Sequence, residues 1–334
     1  LVSEPQAWEL AGARLADGLV AAGLPVDRLL LPEGEAAKRM AVVEQAASEL
    51  ARLRAERGDP LVAVGGGALG DTAGFLAATW LRGVPVIHVP TTLVAQIDSS
   101  IGGKTAVDLP EGKNLVGAFH QPAAVVVDVR FLRTLPARHL RAALGEAAKM
   151  AALGDERLFE LLEAGGAGIA AGEAQAHENG ALAEVVERCG WAKIEVVTAD
   201  EREQGGRINL NLGHSLAHAI EAAAGYEGIL HGEAVAYGLR AACRIGVAVE
   251  MTPPERAARI EALLDALDLG RAPLPYPPDD VMAAIVTDKK HAGGLLRWVL
   301  PTASGAAVCS DVADDLVGAT ARSVLAGTSA GVPA

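Results

Sequence analysis

The chain has 334 residues, of which 51% are hydrophobic, and a formal net charge of −13 at pH 7. The acidic balance argues against a nucleic-acid-binding surface. No apolar run reaches the roughly 18 to 20 residues that span a bilayer, so we expect no membrane segment. Three cysteines at scattered positions and no signal-peptide pattern predict a cytoplasmic protein with reduced thiols.

The first part of the chain combines helical and strand patterns. Helical periodicity covers 6–23 and 36–57, and short apolar runs follow at 61–64, 84–90 and 123–128. This pattern predicts an α/β domain with a mainly parallel sheet over residues 1–140. The opening Leu1-Val-Ser is typical of the end of a strand, so we expect further strands, or a fused upstream pathway enzyme, before residue 1.

A glycine cluster, Gly65-Gly-Gly67, stands between the strand at 61–64 and the helix that follows. Free amides at a helix start, together with the helix dipole, favour a bound anion, and glycine lets a phosphate approach the backbone. An ordinary tight turn explains the cluster equally well. Farther on, Lys104 and Lys113 lie in or near a polar, glycine-bearing stretch. A solvated loop explains the glycine and serine there but not two of the seven lysines within ten residues.

From residue 141 to 334 helical patterns dominate and predict an all-helical second domain. The predicted helices span 137–152, 156–165, 174–198, 213–225, 231–249, 253–267, 278–289 and 311–326, and 295–301 is extended.

Three of the eight histidines lie close together in this half. His214 and His218 are four residues apart, on one helix face, and His231 begins the next predicted helix. A polar face with hydrogen-bonded histidines is the alternative to a metal site. Glu146, on an otherwise apolar helix, supplies the missing carboxylate: with His214 and His231 it forms the ligand type of catalytic zinc.

Several motifs together resemble the sugar-phosphate cyclases, and within that superfamily the 3-dehydroquinate synthase family. They are Gly65-Gly-Gly-x-x-Gly-Asp71, Pro90-Thr-Thr92, Gln96-Ile-Asp-Ser-Ser-Ile-Gly-Gly-Lys-Thr-Ala106, Gly112-Lys-Asn114, Gly117-Ala-Phe-His-Gln-Pro122, Glu146-x-x-Lys149, Asp200-Glu-Arg-Glu203, Asn211-Leu-Gly-His214 and His231-Gly-Glu-Ala-Val235. The resemblance implies an NAD-binding α/β domain, a helical metal- and substrate-binding domain, a homodimer, tightly held NAD, and Zn²⁺ with Co²⁺ as a substitute.

The resemblance also implies catalytic, metal-binding and substrate-binding positions. The metal ligands fall on Glu146, His214 and His231, and the catalytic residues on His218, Lys149, Lys104 and Asp98. Substrate contacts fall on Lys193, Arg207, Asn211, Asn114 and either Lys289 or Lys290, and Arg82 matches an arginine that reaches the neighbouring subunit's site.

The NAD contacts that the resemblance implies come from several segments of the first domain. They fall on Glu33, Gly34, Glu35, Lys38, Gly67, Ala68, Leu69, Gly70, Asp71, Thr91, Thr92, Lys104, Lys113, Phe131, Leu132, Arg133 and Thr134.

The family's substrate is 3-deoxy-D-arabino-heptulosonate 7-phosphate, whose carboxylate is held by a lysine and an arginine. Those positions are Lys193 and Arg207, and an arginine fork beside a lysine point charge suits a carboxylate. Cyclases whose substrates have no carboxylate tend to lack the pair. The implied reaction is transient oxidation by NAD, phosphate elimination, re-reduction and aldol closure to 3-dehydroquinate.

Three alternatives remain open from the sequence. An amino-dehydroquinate synthase would act on a substrate that keeps the carboxylate but carries an amine. A metal-dependent polyol dehydrogenase of the same fold would accumulate NADH and leaves Lys193 and Arg207 unexplained. A cofactor-binding scaffold without activity is the non-enzymatic interpretation, although no motif position is visibly broken.

Overall fold

The computed structural model describes residues 1–291 and 297–327, except for the side chains of 287–291. The chain divides into two compact units, Leu1–Leu135 and Pro136–Ala334. This division comes just before the first helix of the second unit and five residues before the boundary predicted at residue 140.

The first unit contains seven strands. They are β1 (Val2–Ser3), β2 (Leu29–Leu30), β3 (Leu61–Gly65), β4 (Val86–Pro90), β5 (Lys104–Leu109), β6 (Gly112–Phe119) and β7 (Ala124–Val125). Five of these form a parallel sheet in the order β2-β1-β3-β4-β7. The predicted mainly parallel sheet is therefore confirmed.

The two central strands, β3 and β4, explain why the sheet is buried. Val64 and Val86 are fully buried, as expected for parallel strands covered on both faces. In the register of these strands Gly65 lies opposite Pro90, so their carboxyl ends are level. The glycine cluster after β3 and the threonines after β4 consequently share one edge of the sheet.

The helices of the first unit are shorter than the sequence periodicity predicted. The predicted helix 36–57 begins only at Met40, because residues before it form a 3₁₀ turn. The α-helices are α1 (Pro5–Ala7), α2 (Ala13–Ala21), α3 (Met40–Arg52) and α4 (Gly67–Thr79), with π-helical turns at Trp8–Gly12 and Ala95–Ser99 and 3₁₀ turns at Gly34–Ala37, Trp80–Arg82 and Val129–Thr134.

The polar stretch from Lys104 onward is not a solvated loop, which was one of the alternatives left open by the sequence. It forms the antiparallel hairpin β5–β6. Val107 is fully buried, and a β-carbon built on Gly74 of α4 would lie 2.4 Å from Thr105 Cγ2. Tertiary packing against α4 therefore stabilises a hairpin that the local polar composition concealed.

The second unit is helical, as predicted, apart from one small sheet. Its helices are α5 (Ala137–Ala152), α6 (Glu156–Ala171), α7 (Ala174–Glu178), α8 (Ala181–Ala199), α9 (His214–Ala223), α10 (His231–Ala248), α11 (Pro254–Ala266), α12 (Pro278–His291) and α13 (Asp314–Leu325), with a 3₁₀ turn at Gly206–Asn211. The single helix predicted at 174–198 is broken, because Gly180 adopts a left-handed conformation with φ 81°. The predicted extended stretch becomes β8 (Trp298–Pro301), which pairs with the unpredicted β9 (Ala306–Cys309).

Helix α10 lies at the centre of the second unit. Its residues Ala234, Leu239 and Ala242 are fully buried. At its contact with the start of α9, a β-carbon on Gly238 would lie 1.8 Å from the Gly213 carbonyl oxygen, so the two backbones touch. No helix in the described ranges combines the length and apolarity that a membrane crossing requires.

Candidate functional site

Three side chains converge in the second unit from three different helices. Glu146 comes from the middle of α5, while His214 and His231 are the first residues of α9 and α10. Glu146 Oε1 lies 3.5 Å from His214 Nε2 and 3.1 Å from His231 Nε2. One ligand atom from each of the three lies within 4.8 Å of the others, which is close enough for them to share one metal ion.

Both histidines of this triad are oriented through the ring nitrogen that faces away from Glu146. His214 Nδ1 lies 3.1 Å from the Leu212 carbonyl oxygen, and His231 Nδ1 lies 3.2 Å from Glu221 Oε2. An oxygen acceptor at Nδ1 favours the tautomer whose Nε2 lone pair is available to a metal. The triad therefore presents two Nε2 atoms and one carboxylate to the same point.

The electrostatic environment keeps the carboxylate charged. Glu146 is almost completely buried, and burial opposes its ionisation, but Lys149 and the two histidines outweigh this and hold its pKa well below the usual range. Lys149 Nζ lies 2.5 Å from Glu146 Oε2 and is buried too. Glu146 is therefore an anionic ligand candidate at neutral pH.

The two histidines of the triad differ in pKa when no metal is bound. Burial lowers the pKa of His214 to about 3, so this ring is neutral. Burial also opposes charge on His231, but its contacts with the carboxylates of Glu146 and Glu221 raise its pKa to about 10. His231 therefore differs from His214 in having a carboxylate on each side, first Glu146 and then Glu221.

The donor set fits a divalent metal. Among the described residues neither Glu146 oxygen accepts a hydrogen bond of regular geometry, although three basic side chains lie at ion-pair distance. A buried carboxylate in this condition is costly unless a cation compensates it. Two imidazoles and one carboxylate are the ligands of open catalytic zinc sites.

His218 lies beside the triad but outside the group of three. Its ring centroid is 5.3 Å from that of His214 and 6.2 Å from that of His231, and its side chain is exposed. This position is compatible with the proton-handling role implied by the resemblance, which stays a prediction.

The predicted substrate-binding residues of the second unit include two buried cations. Lys193 on α8 is 7% exposed and Arg207 is 1% exposed. Arg207 Nη1 donates to the Glu201 carbonyl oxygen at 2.5 Å, and Asn211 Nδ2 donates to Glu203 Oε1 at 2.9 Å. The 3₁₀ turn that carries Arg207 and Asn211 contacts α8.

One predicted substrate contact cannot be placed. Lys289 and its neighbour Lys290 belong to α12, but their side chains lie outside the described residues.

The glycine cluster of the first unit forms a close turn from β3 into α4. A β-carbon on Gly65 would lie 2.3 Å from Leu69 Cδ2, and one on Gly67 would lie 2.9 Å from Ser99 Oγ. The Thr91 amide donates to the Gly65 carbonyl oxygen at 2.9 Å. Because side chains would collide here and α4 begins directly afterwards, the turn is suited to an anion such as a pyrophosphate.

Lys38 joins two other segments of the first unit. Its Nζ donates to Asp71 Oδ2 at 2.8 Å and to Asn114 Oδ1 at 2.6 Å. Burial opposes the charge of Lys38, but Asp71 outweighs it and raises the lysine pKa. Lys113 Nζ lies 3.5 Å from Glu35 Oε1. The structure thus brings four predicted NAD contacts together with Asn114, which the resemblance assigned to substrate.

The predicted NAD contacts after β4 and after β7 follow the same edge of the sheet. Gln96 Nε2 donates to the carbonyl oxygens of Pro90 and Asp128, at 3.1 and 2.9 Å. This amide ties the end of β4, where Thr91 and Thr92 follow, to the 3₁₀ turn that carries Phe131, Leu132, Arg133 and Thr134.

Three other predicted residues of the first unit occupy turns or a strand end. Asp98 lies in the π-helical turn at Ala95–Ser99, half-buried, and Lys104 is exposed at the start of β5. Arg82 is exposed between Leu81 and Gly83, and the φ angles of 81–83 are all left-handed, at 49°, 67° and 121°.

The predictions for Glu33 and Gly34 fall on a surface turn of the first unit. Both residues are exposed, and Gly34 donates its amide to Glu4 Oε2 at 2.9 Å.

The sequence interpretation missed two residues of these clusters. Asp108 accepts a hydrogen bond from the Asn114 amide at 2.8 Å, and it lies between two motifs, in a segment that no motif covered. Glu221 was also missed. Its spacing of seven residues from His214 places both on one helix face, and this spacing could have indicated it.

Comparisons with known proteins agree over nearly the whole chain. Residues 28–142 match the family model for the 3-dehydroquinate synthase N-terminal domain, and residues 143–291 match that for the C-terminal domain. A 3-dehydroquinate synthase from Colwellia psychrerythraea is 43% identical over 304 residues, which are 90% of this chain and 83% of the relative.

Two solved structures are similar at lower identity. The 2-epi-5-epi-valiolone synthase from Streptomyces hygroscopicus, with NAD⁺ and Zn²⁺ bound, superposes with a TM-score of 0.87 at 30% identity and covers 97% of this chain and 89% of that one. A 2-deoxy-scyllo-inosose synthase complexed with carbaglucose-6-phosphate, NAD⁺ and Co²⁺ superposes with a TM-score of 0.82 at 28% identity, covering 96% and 89%.

Proposed function

The chain belongs to the 3-dehydroquinate synthase family, and we propose that it converts 3-deoxy-D-arabino-heptulosonate 7-phosphate to 3-dehydroquinate and phosphate. The observation that carries this proposal is the 43% identity to a 3-dehydroquinate synthase over 90% of the chain. The 2-epi-5-epi-valiolone synthase and the 2-deoxy-scyllo-inosose synthase are less identical to this chain, at 30% and 28%. The enzyme is a lyase of aromatic amino acid biosynthesis that depends on NAD and a metal.

The metal would be held by Glu146, His214 and His231, and NAD by the glycine turn with the cluster around Lys38. When bound, NAD supplies reversible hydride transfer and the metal supplies Lewis acidity. The geometry that supports this assignment is the convergence of one carboxylate and two Nε2 atoms within 4.8 Å. Zinc is the metal of one structural relative and cobalt of another.

The side chains of this protein contribute binding and charge stabilisation. Lys193 and Arg207, both buried, hold the substrate carboxylate, because a carboxylate leaving water needs fixed cations. Further substrate contacts come from Asn211, Asn114 and one of Lys289 and Lys290.

Proton handling and the departure of phosphate involve a second group of side chains. Lys149 balances the charge of Glu146 in the second unit. Lys104 and Asp98 of the first unit keep the catalytic roles that the family resemblance implies, and a lysine would stabilise the negative charge of a departing phosphate. His218, exposed beside the triad, exchanges protons with the substrate or with the departing phosphate.

We also propose a cytoplasmic homodimer. The three cysteines form no disulfide, and two of them are buried, which suits a reducing compartment. Arg82 is exposed on a turn of three residues with left-handed φ angles, a backbone conformation that costs free energy. We propose that its side chain reaches the neighbouring subunit.

Phosphate release tests the proposed function. Protein supplied with Zn²⁺, NAD and the heptulosonate phosphate should release one phosphate per dehydroquinate with no net rise in NADH absorbance. Preferred turnover of the aminated substrate, or of a sugar phosphate without a carboxylate, would assign the chain to another cyclase. Accumulation of NADH with a polyol would make it a dehydrogenase.

A further inference from the structure

Glu221 contacts His231 of the triad at Nδ1, the ring nitrogen that faces away from Glu146. His231 has a carboxylate on each side: Glu146 Oε1 lies 3.1 Å from Nε2, and Glu221 Oε2 lies 3.2 Å from Nδ1. Of these two contacts, the one with Glu221 is the hydrogen bond of regular geometry. The ring is therefore held through Nδ1, while Nε2 points to the place where the ligand atoms meet.

Glu221 is itself held in place by its surroundings. It follows His214 by seven residues on α9, two helical turns later on the same face. Its side chain is only 10% exposed, and its chain neighbours Ala219 and Ile220 are buried. A carboxylate in such surroundings is costly unless it is paired, and the His231 ring provides a partner.

The position of Glu221 excludes it from the ligand set. Among the described residues, the group whose ligand atoms lie mutually within 4.8 Å consists of Glu146, His214 and His231. Glu221 touches the ring nitrogen on the opposite side. The corresponding contact of His214 Nδ1 is with the carbonyl oxygen of Leu212, which side-chain substitution cannot remove.

We propose that Glu221 is a positioning residue that orients His231 for metal binding and adds negative charge behind it. The inference rests on the metal site of the proposed function. The Nδ1–H hydrogen bond selects the tautomer with the lone pair on Nε2 and makes that nitrogen a stronger ligand. Loss of such a partner weakens metal affinity by about 10- to 100-fold.

The test measures metal affinity without using activity. Zn²⁺ affinity is determined by competition with a chromophoric chelator, and the Co²⁺ absorption spectrum reports the coordination geometry. Glu221→Ala should bind Zn²⁺ at least about 10-fold more weakly and alter the Co²⁺ spectrum. Glu221→Gln keeps an acceptor oxygen but loses the charge, so its Zn²⁺ affinity should lie between those of the parent and of Glu221→Ala.

Glu261→Gln is the matched control. Glu261 is a carboxylate of the same unit with similar burial, 11% exposed, but it pairs with Arg240 and Arg244. The substitution should lower the melting temperature and leave Zn²⁺ affinity unchanged. NAD titration checks the first unit in every variant.

Either of two results would overturn the inference. One is a Zn²⁺ affinity in Glu221→Gln equal to that of the parent. This variant still tests the inference if Glu221→Ala does not fold. The other is an equal loss in Glu261→Gln, which would assign the effect to general destabilisation. Failure of the proposed function would appear separately, as a parent protein that binds Zn²⁺ but releases no phosphate.

Discussion

Gly145 and Gly232 are in backbone contact, each next to a candidate metal ligand. A β-carbon on Gly145 would lie 2.1 Å from the Gly232 carbonyl oxygen, and one on Gly232 would lie 1.8 Å from the Ala142 carbonyl oxygen. Helix α5 can therefore approach the start of α10 only because both residues lack a side chain. This approach brings Glu146 within 3.1 Å of His231.

Alanine at either glycine should separate the two ligands. We expect Gly145→Ala and Gly232→Ala to lower the free energy of unfolding by about 1–3 kcal/mol and to weaken Zn²⁺ binding, because backbone atoms cannot move aside cheaply. Chelator competition measures the affinity and chemical denaturation the stability.

Gly165→Ala is the control for these two substitutions. Gly165 lies within α6, and no atom comes within 4 Å of the position that its β-carbon would take. This variant should be more stable by about 0.5–1 kcal/mol and bind Zn²⁺ as the parent does. Unchanged Zn²⁺ affinity in both Gly145→Ala and Gly232→Ala would contradict the prediction.

Arg207 should determine how well the substrate carboxylate is bound. We expect Arg207→Ala to lower kcat/KM at least about 100-fold, since the variant leaves a buried carboxylate without its charged donor. Arg207→Lys should recover only part of the loss, because it lacks the planar fork. Phosphate release measures the effect, and Arg202→Ala, an exposed arginine of the preceding loop, is the control. If Arg207→Ala kept parental kcat/KM, the carboxylate would have to bind elsewhere.

Lys38 should support NAD binding through the contacts that it makes with Asp71 and Asn114. Lys38→Met removes both hydrogen bonds, so we expect a loss of about 1–3 kcal/mol in the free energy of unfolding. NAD affinity, measured by titration, should fall by about 10-fold, which corresponds to one charge-assisted hydrogen bond. Arg39→Met changes the adjacent, exposed cation and should leave both quantities near parental values. Equal NAD affinity in the two variants would remove Lys38 from the cofactor site.

His88 should make the protein less stable as the pH falls from neutrality. Burial lowers the pKa of His88 to about 4, with a smaller contribution from repulsion by nearby His120, whereas an unfolded histidine has a pKa near 6.5. Between these values the unfolded chain binds a proton that the folded chain does not, so stability is present above pH 6.5 and decreases towards pH 4. The decrease should be at most about 1.4 kcal/mol per pH unit.

Chemical denaturation at pH 7 and pH 5, in protein without NAD, measures this dependence. His88→Gln should remove the His88 contribution, so the difference between the two pH values should shrink relative to the parent. His139→Gln, which changes an exposed histidine, is the control. A pH dependence that is the same in the parent and in His88→Gln would contradict the assignment.

The sequence alone determined most of the elements and the family. Helical periodicity and short apolar runs predicted the parallel sheet and most helices, because these patterns are local and repeat with the period of the element. The order of the motifs also predicted the family that the comparisons show. The sequence shows His214 and His218 only as two histidines four residues apart. That spacing does not decide which of the two rings faces a metal.

Only the tertiary structure decided which side chains meet. The hairpin β5–β6 forms because Val107 and Thr105 pack against the first unit's core and α4, a long-range contact that a polar local sequence does not reveal. Glu221 lies 3.2 Å from His231 Nδ1 because α9 and α10 are in backbone contact. Spacing along one helix determines which side chains share a face of that helix. Which residues that face contacts depends on how helices distant in sequence pack together.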